Sequence, residues 1–111
     1  MNWLKLTEIE QLEAIKKESA NSPVLIFKHS TRCSISATSL AKFERNWNES
    51  LSKGIKPYYL DLIALRPISN QIAKEFSIEH QSPQALLIKD GKCIFDSSHM
   101  AISFDEIIRH A

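Results

Sequence analysis

Apolar residues along the chain fall into short uninterrupted runs that alternate with stretches of helical spacing. The clearest run follows Pro23 and is bounded by polar residues, as expected for a strand buried on both faces of a sheet. Two later runs are joined by Lys89-Asp90-Gly91-Lys92, whose Asp-Gly pair is a strong signal for a tight hairpin turn. The pattern predicts four strands, at Val24–Phe27, Ile55–Ile63, Ala85–Ile88 and Cys93–Phe95.

Helical spacing predicts four helices around these strands. Thr7 with Glu10 three positions later forms a capping-box pattern at the start of the first helix. Pro67 fits the first turn of the third helix, and Ser103 is a suitable cap for the last. The predicted helices run from Thr7 to about Lys17, from about Cys33 to a point before Gly54, from Pro67 to Phe76, and onward from Ser103.

The resulting order of elements, α-β-α-β-α-β-β-α, places a parallel βαβ unit before a hairpin. It predicts an α/β protein with a central mixed four-stranded sheet flanked by helices and followed by a C-terminal helix. This arrangement resembles the thioredoxin fold. A chain of 111 residues is large enough for one core and too short for two, so residues 1–111 are expected to form a single domain.

Charge balance and cysteine content narrow the functional classes. With 14 basic and 13 acidic side chains and no charged tail, nothing indicates a nucleic-acid partner. The N-terminal segment mixes Lys and Glu with spaced apolar residues, which does not fit a signal peptide or a membrane span. Two widely separated cysteines do not make the framework of a secreted mini-protein, so a cytoplasmic protein with reduced thiols is expected.

Cys33 is the candidate reactive group. The cap-type residues Ser30 and Thr31 precede it and helical spacing follows it, so Cys33 is expected in the first helical turn. Unpaired N–H groups and the positive end of the helix dipole favour a thiolate at that place. Arg32, and His29 if protonated, would add positive charge nearby. The apolar face of this helix is expected to consist of Ala37, Leu40, Ala41, Phe43, Trp47 and Leu51.

Ser36 stands where a dithiol oxidoreductase has its second cysteine, three positions after the first. A serine hydroxyl does not attack a disulfide usefully at neutral pH, so Cys33 would accept a thiol group and need an external thiol to be discharged. The sequence therefore predicts a monothiol cycle. Cys93 lies on a short apolar strand, where a core residue is the expected role and a resolving thiol is the alternative.

Ser82-Pro83 precedes the third predicted strand, about fifty residues after Cys33. Thioredoxin-like proteins carry a cis proline at this place, facing the thiol, so a cis bond is expected here. An ordinary trans proline at a strand entry is the alternative. A cis bond in this fold turns backbone groups toward the cysteine, where they pair with an incoming disulfide substrate.

Three segments together resemble the YtxJ family, also called monothiol bacilliredoxins, over nearly the whole chain. They are His29-Ser-Thr-Arg-Cys-Ser-Ile-Ser, His80-Gln-Ser-Pro-Gln, and Asp90-Gly-Lys followed by Ser98-His99. The resemblance implies removal of bacillithiol, a low-molecular-weight thiol, from mixed disulfides on proteins, with Cys33 as nucleophile and Pro83 as the proline that faces the substrate. The family commonly has proline directly after the active cysteine, whereas this chain has Ser34.

By this resemblance catalysis falls to Cys33, with no tightly bound cofactor and no metal. The low-molecular-weight thiol is a co-substrate, and the expected partners are thiol-modified cytoplasmic proteins and a recycling thiol or reductase. Neither a nucleic acid nor a membrane is expected as a partner, and the protein is expected to be a monomer. The predicted binding set is Arg32, Ser34, Ser36, Ser82 and Pro83, with His29, His80 and Cys93 as secondary candidates.

Other functions remain open at this point. A thiol-dependent iron–sulfur carrier of the monothiol glutaredoxin type also uses one cysteine at a helix start, but the glycine-phenylalanine pair usual after it is Ser34-Ile35 here. A non-catalytic binding module on the same fold would leave Cys33 as a helix-capping residue that alkylates slowly at pH 6. A peroxide reductase fits less well, because the chain lacks the earlier proline and the length of that class.

Overall fold

A computed structural model describes all 111 residues. Two short 3₁₀ turns, at Glu49–Leu51 and His99–Ala101, supplement the main elements. None of the helices is long and apolar enough to cross a membrane. The strands and helices are β1 (Leu4–Lys5), α1 (Gln11–Glu18), β2 (Val24–His29), α2 (Ser34–Asn46), β3 (Lys56–Asp61), α3 (Arg66–Phe76), β4 (Gln84–Lys89), β5 (Lys92–Ser98) and α4 (Phe104–His110).

The sheet has five strands in the order β1-β3-β2-β4-β5. β2 runs parallel to β3 and antiparallel to β4, so a βαβ unit is followed by the predicted hairpin. The α/β class with a mixed sheet is therefore confirmed, but the predicted count of four strands is wrong. The additional strand, β1, is only two exposed residues long, which is too short to give a periodic signal.

Helices cover both faces of the sheet, and the central strand β2 is buried along its whole length. On one face Val24 and Ile26 pack with residues of α1 and α3, including Leu12 and Ile72. On the other face Leu25 and Phe27 pack with residues of α2 and α4. Successive side chains of a strand point to opposite faces of the sheet. A strand covered by helices on both faces therefore needs apolar residues at consecutive positions.

Several predicted boundaries shift. α1 begins at Gln11 rather than Thr7, because the Gln11 side-chain oxygen accepts hydrogen bonds from the N–H groups of Thr7 and Glu8 and holds them outside the helix. β2 extends two residues beyond Phe27, to His29. α2 ends at Asn46, and the segment before Gly54 forms a 3₁₀ turn instead.

The buried face of α2 also differs from the prediction. Ser36, Ser39 and Phe43 are its buried residues, while Ala37 and Ala41 are exposed. Both serines have hydrogen-bond partners from outside the helix, which offset the cost of burying a hydroxyl group. Phe43, Leu40 and Trp47 pack on the core as predicted, and two serines near the N-terminal end of the helix take the place of the two alanines.

Candidate functional site

Cys33 occupies the N-cap of α2, one residue earlier than the predicted first turn. Its backbone is extended, with φ −116° and ψ 121°, and its side chain makes no capping hydrogen bond. The Cys33 N–H donates to the Ser30 carbonyl at 3.3 Å, and the Cys33 carbonyl accepts from the Ala37 N–H at 3.0 Å. The thiol is free and partly exposed, so it is accessible at the end of a helix whose first N–H groups lack helical partners.

Ser36 is fully buried beneath this turn, and its hydroxyl is hydrogen-bonded to the end of β2 and to the loop that follows it. The Ser36 oxygen accepts a hydrogen bond from the Ser30 N–H at 3.0 Å and lies 2.8 Å from His29 Nδ1. The hydroxyl has one proton and a second lone pair, so it pairs with either tautomer of the His29 ring. Ser36 therefore stabilises the loop that carries Cys33, and its hydroxyl is fully engaged.

His29 is almost fully buried at the end of β2, with its ring 5.7 Å from that of Tyr59. Burial lowers the pKa of His29, although the Asp61 and Glu44 carboxylates act in the opposite direction. The hydrogen bond with Ser36 also acts to raise this pKa, and burial outweighs these opposing effects. The structure thus favours a neutral His29, in contrast to the protonated form considered from the sequence.

Pro83 lies at the same edge of the sheet as Cys33. The Ser82-Pro83 peptide bond is cis, and the next residue, Gln84, pairs with Lys28 on β2. The Pro83 carbonyl accepts from the His99 N–H at 3.0 Å, and the His99 carbonyl accepts from Ser39 on α2 at 3.0 Å. The His99 backbone and the Ser39 hydroxyl therefore connect the proline loop to the helix that carries the thiol.

The other predicted binding residues surround this turn with few contacts of their own. Arg32 and Ser34 are exposed, and Ser82 is partly buried. No ion pair involves Arg32. The structure thus brings Cys33, Ser36 and His29 into one bonded turn, with Pro83 beside it, and leaves Arg32 and Ser34 free at the surface.

A buried lysine was missed in the sequence. Lys28 is fully buried, and its ammonium group donates to the Ser69 carbonyl at 3.3 Å and to His80 Nδ1 at 3.2 Å. No acidic side chain pairs with it. The available signal was a lysine directly following the apolar run of β2, where the strand was expected to end in solvent.

Lys28→Met is expected to stabilise the protein below pH 8. Burial, with a smaller effect from the Arg66 charge, lowers the pKa of Lys28 from 10.5 to about 8. The cost of burying the charge is therefore fully present below about pH 8 and disappears as the pH rises to 10.5, where the unfolded chain also loses the proton. We expect the free energy of unfolding to rise by about 1–3 kcal/mol at pH 7.

Urea denaturation at pH 7, 8.5 and 10 would measure this difference, with the exposed Lys89→Met as the matched control. The gain from Lys28→Met should shrink steadily across this series, whereas Lys89→Met should change little at any pH. A gain that is the same at all three values would mean that the stabilisation comes from packing and not from the buried charge.

Cys93 is remote from this edge. It pairs with Ile88, which pairs with Val24 at the opposite end of β2 from His29. Five residues of strand separate Val24 from His29, or about 16 Å at 3.3 Å per residue, whereas a disulfide requires Cα atoms within about 7 Å. Burial, together with the Asp96 charge, raises the pKa of Cys93 to about 11. The alternative that Cys93 resolves a disulfide on Cys33 is therefore wrong, and Cys93 packs against the core.

Solved structures with the same fold cover nearly the whole chain. A structure described as a candidate oxidoreductase with a thioredoxin fold is 30% identical, covers 96% of this chain and 91% of its own, and has a TM-score of 0.82. The thioredoxin of Malassezia sympodialis is 17% identical, covers 98% and 90%, and has a TM-score of 0.77. The thioredoxin of Fasciola hepatica is 17% identical, covers 96% and 98%, and has a TM-score of 0.70. The predicted thioredoxin fold is confirmed.

A protein-family model described as monothiol bacilliredoxin BrxC matches residues 4–107. The match includes Cys33, Ser36 and Pro83, and it leaves out only a few residues at either end. The family resemblance inferred from the sequence segments is therefore confirmed over nearly the same extent.

Proposed function

The chain belongs to the monothiol bacilliredoxin BrxC family of thiol redox proteins, and we propose that Cys33 removes a low-molecular-weight thiol, bacillithiol by family resemblance, from mixed disulfides on proteins. The thiol is a co-substrate in this proposal, and no resident cofactor is needed. Thiol-modified proteins of a reducing, cytoplasmic environment are the proposed substrates.

The proposed cycle has two thiol–disulfide exchanges. The Cys33 thiolate attacks the outer sulfur of a protein–S–S–R adduct, so that a Cys33–S–S–R bond forms and the protein leaves as its thiolate. A second thiol, R′–S⁻, then attacks the R sulfur, releases the Cys33 thiolate and departs as R′–S–S–R. Electrons balance because each step exchanges one thiolate for another across one disulfide.

The observation that carries this proposal is the environment of Ser36. The position of a resolving cysteine is held by a buried hydroxyl that is already bonded to His29 and to the Ser30 N–H. Cys93, the other thiol, lies at the opposite end of β2. A thiol group placed on Cys33 therefore has no internal thiol that could displace it, which supports discharge by an external one.

Exposed apolar side chains in the first turn of α2 and in a 3₁₀ turn bonded to α2 support a protein substrate. Ile35 in the first turn of α2 is 50% exposed and Met100 is 49% exposed. Met100 lies in the turn whose backbone bonds to α2 through Ser39 and Lys42. Such residues suit transient contact with a substrate surface, whereas a protein that reacted only with small thiols would not need them.

A thiol-transfer experiment tests the proposal. A model protein carrying a single bacillithiol mixed disulfide is mixed with an excess of this protein, and both are followed by intact mass spectrometry. We expect the model protein to lose the thiol, and this protein to gain a single adduct of that mass that persists until a free thiol is added. Peptide mapping should place the adduct on Cys33.

Cys93→Ser is the matched control, since it removes the remote thiol and should transfer at the same rate. An adduct on Cys93, or a model protein that keeps its thiol, would contradict the proposal. A parallel reaction with a glutathione mixed disulfide would show whether bacillithiol is preferred. Equal rates would retain the monothiol mechanism and remove the specificity for bacillithiol.

A further inference from the structure

A cationic cluster lies on the α3 side of the proline loop. We propose that His80 and Arg66 bind a carboxylate of the low-molecular-weight thiol in the mixed disulfide, and that the buried Lys28 is the positioning residue that orients His80. This inference rests on the proposed function, because it names the chemistry of the group that Cys33 would remove.

The hydrogen bonds to His80 determine which of its nitrogens can face a ligand. His80 Nδ1 lies 3.2 Å from the Lys28 ammonium and 3.3 Å from the Ser69 hydroxyl, and an ammonium group can only donate. Nδ1 is therefore an acceptor, and the proton of the neutral ring is on Nε2. Nε2 has no protein partner and is not a buried atom, so its N–H remains available as a donor.

The charges around His80 all favour an anion. Arg66 lies three residues before Ser69 on α3, so it is a neighbour of the residue whose hydroxyl contacts His80. Lys28 and Arg66 both lower the pKa of His80, after the larger effect of burial, and no acidic side chain opposes them. Arg66 is exposed and has no ion pair. Glu79, the acidic residue of this loop, is exposed and also unpaired. Lys28 is thus a buried cation without an anion, an arrangement that costs stability and that a bound carboxylate would partly offset.

A buried glutamine holds His80 at a fixed distance from the thiol edge. Gln84 is fully buried and pairs with Lys28 across the sheet. Its side chain donates to the Glu79 carbonyl at 3.0 Å and accepts from the Gln81 N–H at 3.3 Å. His80 is three residues before Pro83, at most about 10 Å along the chain. In this proposal the carboxylate is on the part of the small thiol that extends from Cys33 past Pro83 toward this loop.

Two probes differing in one group test the inference. The first is a neutral peptide whose cysteine forms a mixed disulfide with N-acetylcysteine, and the second carries N-acetylcysteine amide instead. A third probe moves the carboxylate to the peptide, with a glutamate beside its cysteine and the amide thiol. Turnover through Cys33 is measured as kcat/KM for each probe at low and high salt, with a neutral external thiol present to discharge the Cys33 adduct.

His80→Ala and Arg66→Gln are each expected to lower kcat/KM for the carboxylate thiol about five- to tenfold, mainly through KM. The amide thiol should change less than twofold. Lys89→Gln makes the same charge change as Arg66→Gln at the far end of the sheet, and should affect neither probe by more than twofold. High salt should reduce the preference of the wild-type protein for the carboxylate thiol.

Lys28→Met tests the positioning role separately. We expect it to lower the preference for the carboxylate thiol and also to shift the ¹⁵N resonances of the His80 ring away from the pattern of a fixed Nδ1 acceptor. If the preference falls while the ring resonances stay unchanged, Lys28 does not act through His80 and the positioning role is overturned.

The outcomes separate this inference from the proposed function. If neither thiol transfers to Cys33, the proposed function itself fails. If both transfer equally well in the wild-type protein, the function stands and the carboxylate site is overturned. If His80→Ala slows transfer from the third probe alone, the carboxylate site is also overturned. His80 would then contact a carboxylate of the substrate protein and not one of the small thiol.

Discussion

Cys33→Ser is expected to abolish thiol removal while leaving the protein at least as stable as the wild type. The substitution removes the sulfur that forms the transient disulfide, so transfer from a mixed disulfide should fall by at least about 10³-fold, to the uncatalysed background. Serine is among the preferred N-cap residues of helices. Cys33 has the extended N-cap backbone but makes no capping hydrogen bond, so a serine hydroxyl can add one.

The expected gain in stability from this cap is about 0.5–1 kcal/mol, or a few degrees in Tm. Transfer assays together with thermal unfolding of the wild type, Cys33→Ser and Cys93→Ser would check both parts. Cys93→Ser should keep full transfer activity. Residual transfer by Cys33→Ser above background would assign the chemistry to another group, and a large fall in Tm would mean that the sulfur is structural.

The parts of the fold that the sequence predicted are those determined by local pattern. The uninterrupted run at Val24–Phe27, the Asp-Gly turn of the β4–β5 hairpin and Pro67 in the first turn of α3 each depend on residues close together in the chain. The order of these elements was enough to predict the fold class. β1 was missed because a two-residue edge strand has no such pattern.

The parts of the site that were missed depend on contacts between distant residues. Lys28 is bonded to residues 41 and 52 positions away, and Ser39 to a residue 60 positions away. A lysine or a serine is expected at the surface unless such a partner is known. Sequence reasoning therefore placed Cys33 at the start of α2 and expected the cis bond before Pro83, but it left Lys28 in solvent and missed the two buried serines of α2.

The buried polar groups divide the site between the two faces of the sheet. On the α2 face, Ser36 and His29 hold the thiol turn, whereas on the α3 face Lys28 and Gln84 hold the proline loop. Adjacent residues of β2 point to opposite faces, so one strand end serves both loops. This explains why polar residues occupy positions that packing alone would fill with apolar ones.

Ser36→Cys is expected to convert the monothiol site into a dithiol one. A cysteine at this position is three residues after the N-cap thiol, on the neighbouring turn of α2, where i and i+3 side chains are close. An adduct on Cys33 should then be displaced internally, with release of the small thiol and formation of a disulfide between Cys33 and the introduced thiol. Because the second thiol is held beside the first, displacement should be at least about 10³-fold faster than with a millimolar external thiol.

The substitution also removes hydrogen bonds that the hydroxyl makes. The Ser30 N–H would lose its acceptor and His29 Nδ1 its hydrogen-bond partner, which should lower the free energy of unfolding of the reduced variant by about 1–3 kcal/mol. The native monothiol site therefore keeps the hydrogen bonds of the Ser36 hydroxyl and depends on an external thiol. The variant would release the small thiol without an external thiol but would be less stable.

Mass spectrometry of the Cys33 adduct without added thiol would measure the conversion. Ser39→Cys is the matched control, because it places a thiol on the same buried face but six residues from Cys33, about 9 Å along the helix. The adduct should persist in the wild type and in Ser39→Cys and disappear only from Ser36→Cys. If it persists equally in all three, Ser36 does not occupy the resolving position, and the absence of a second thiol there is not what makes the cycle monothiol.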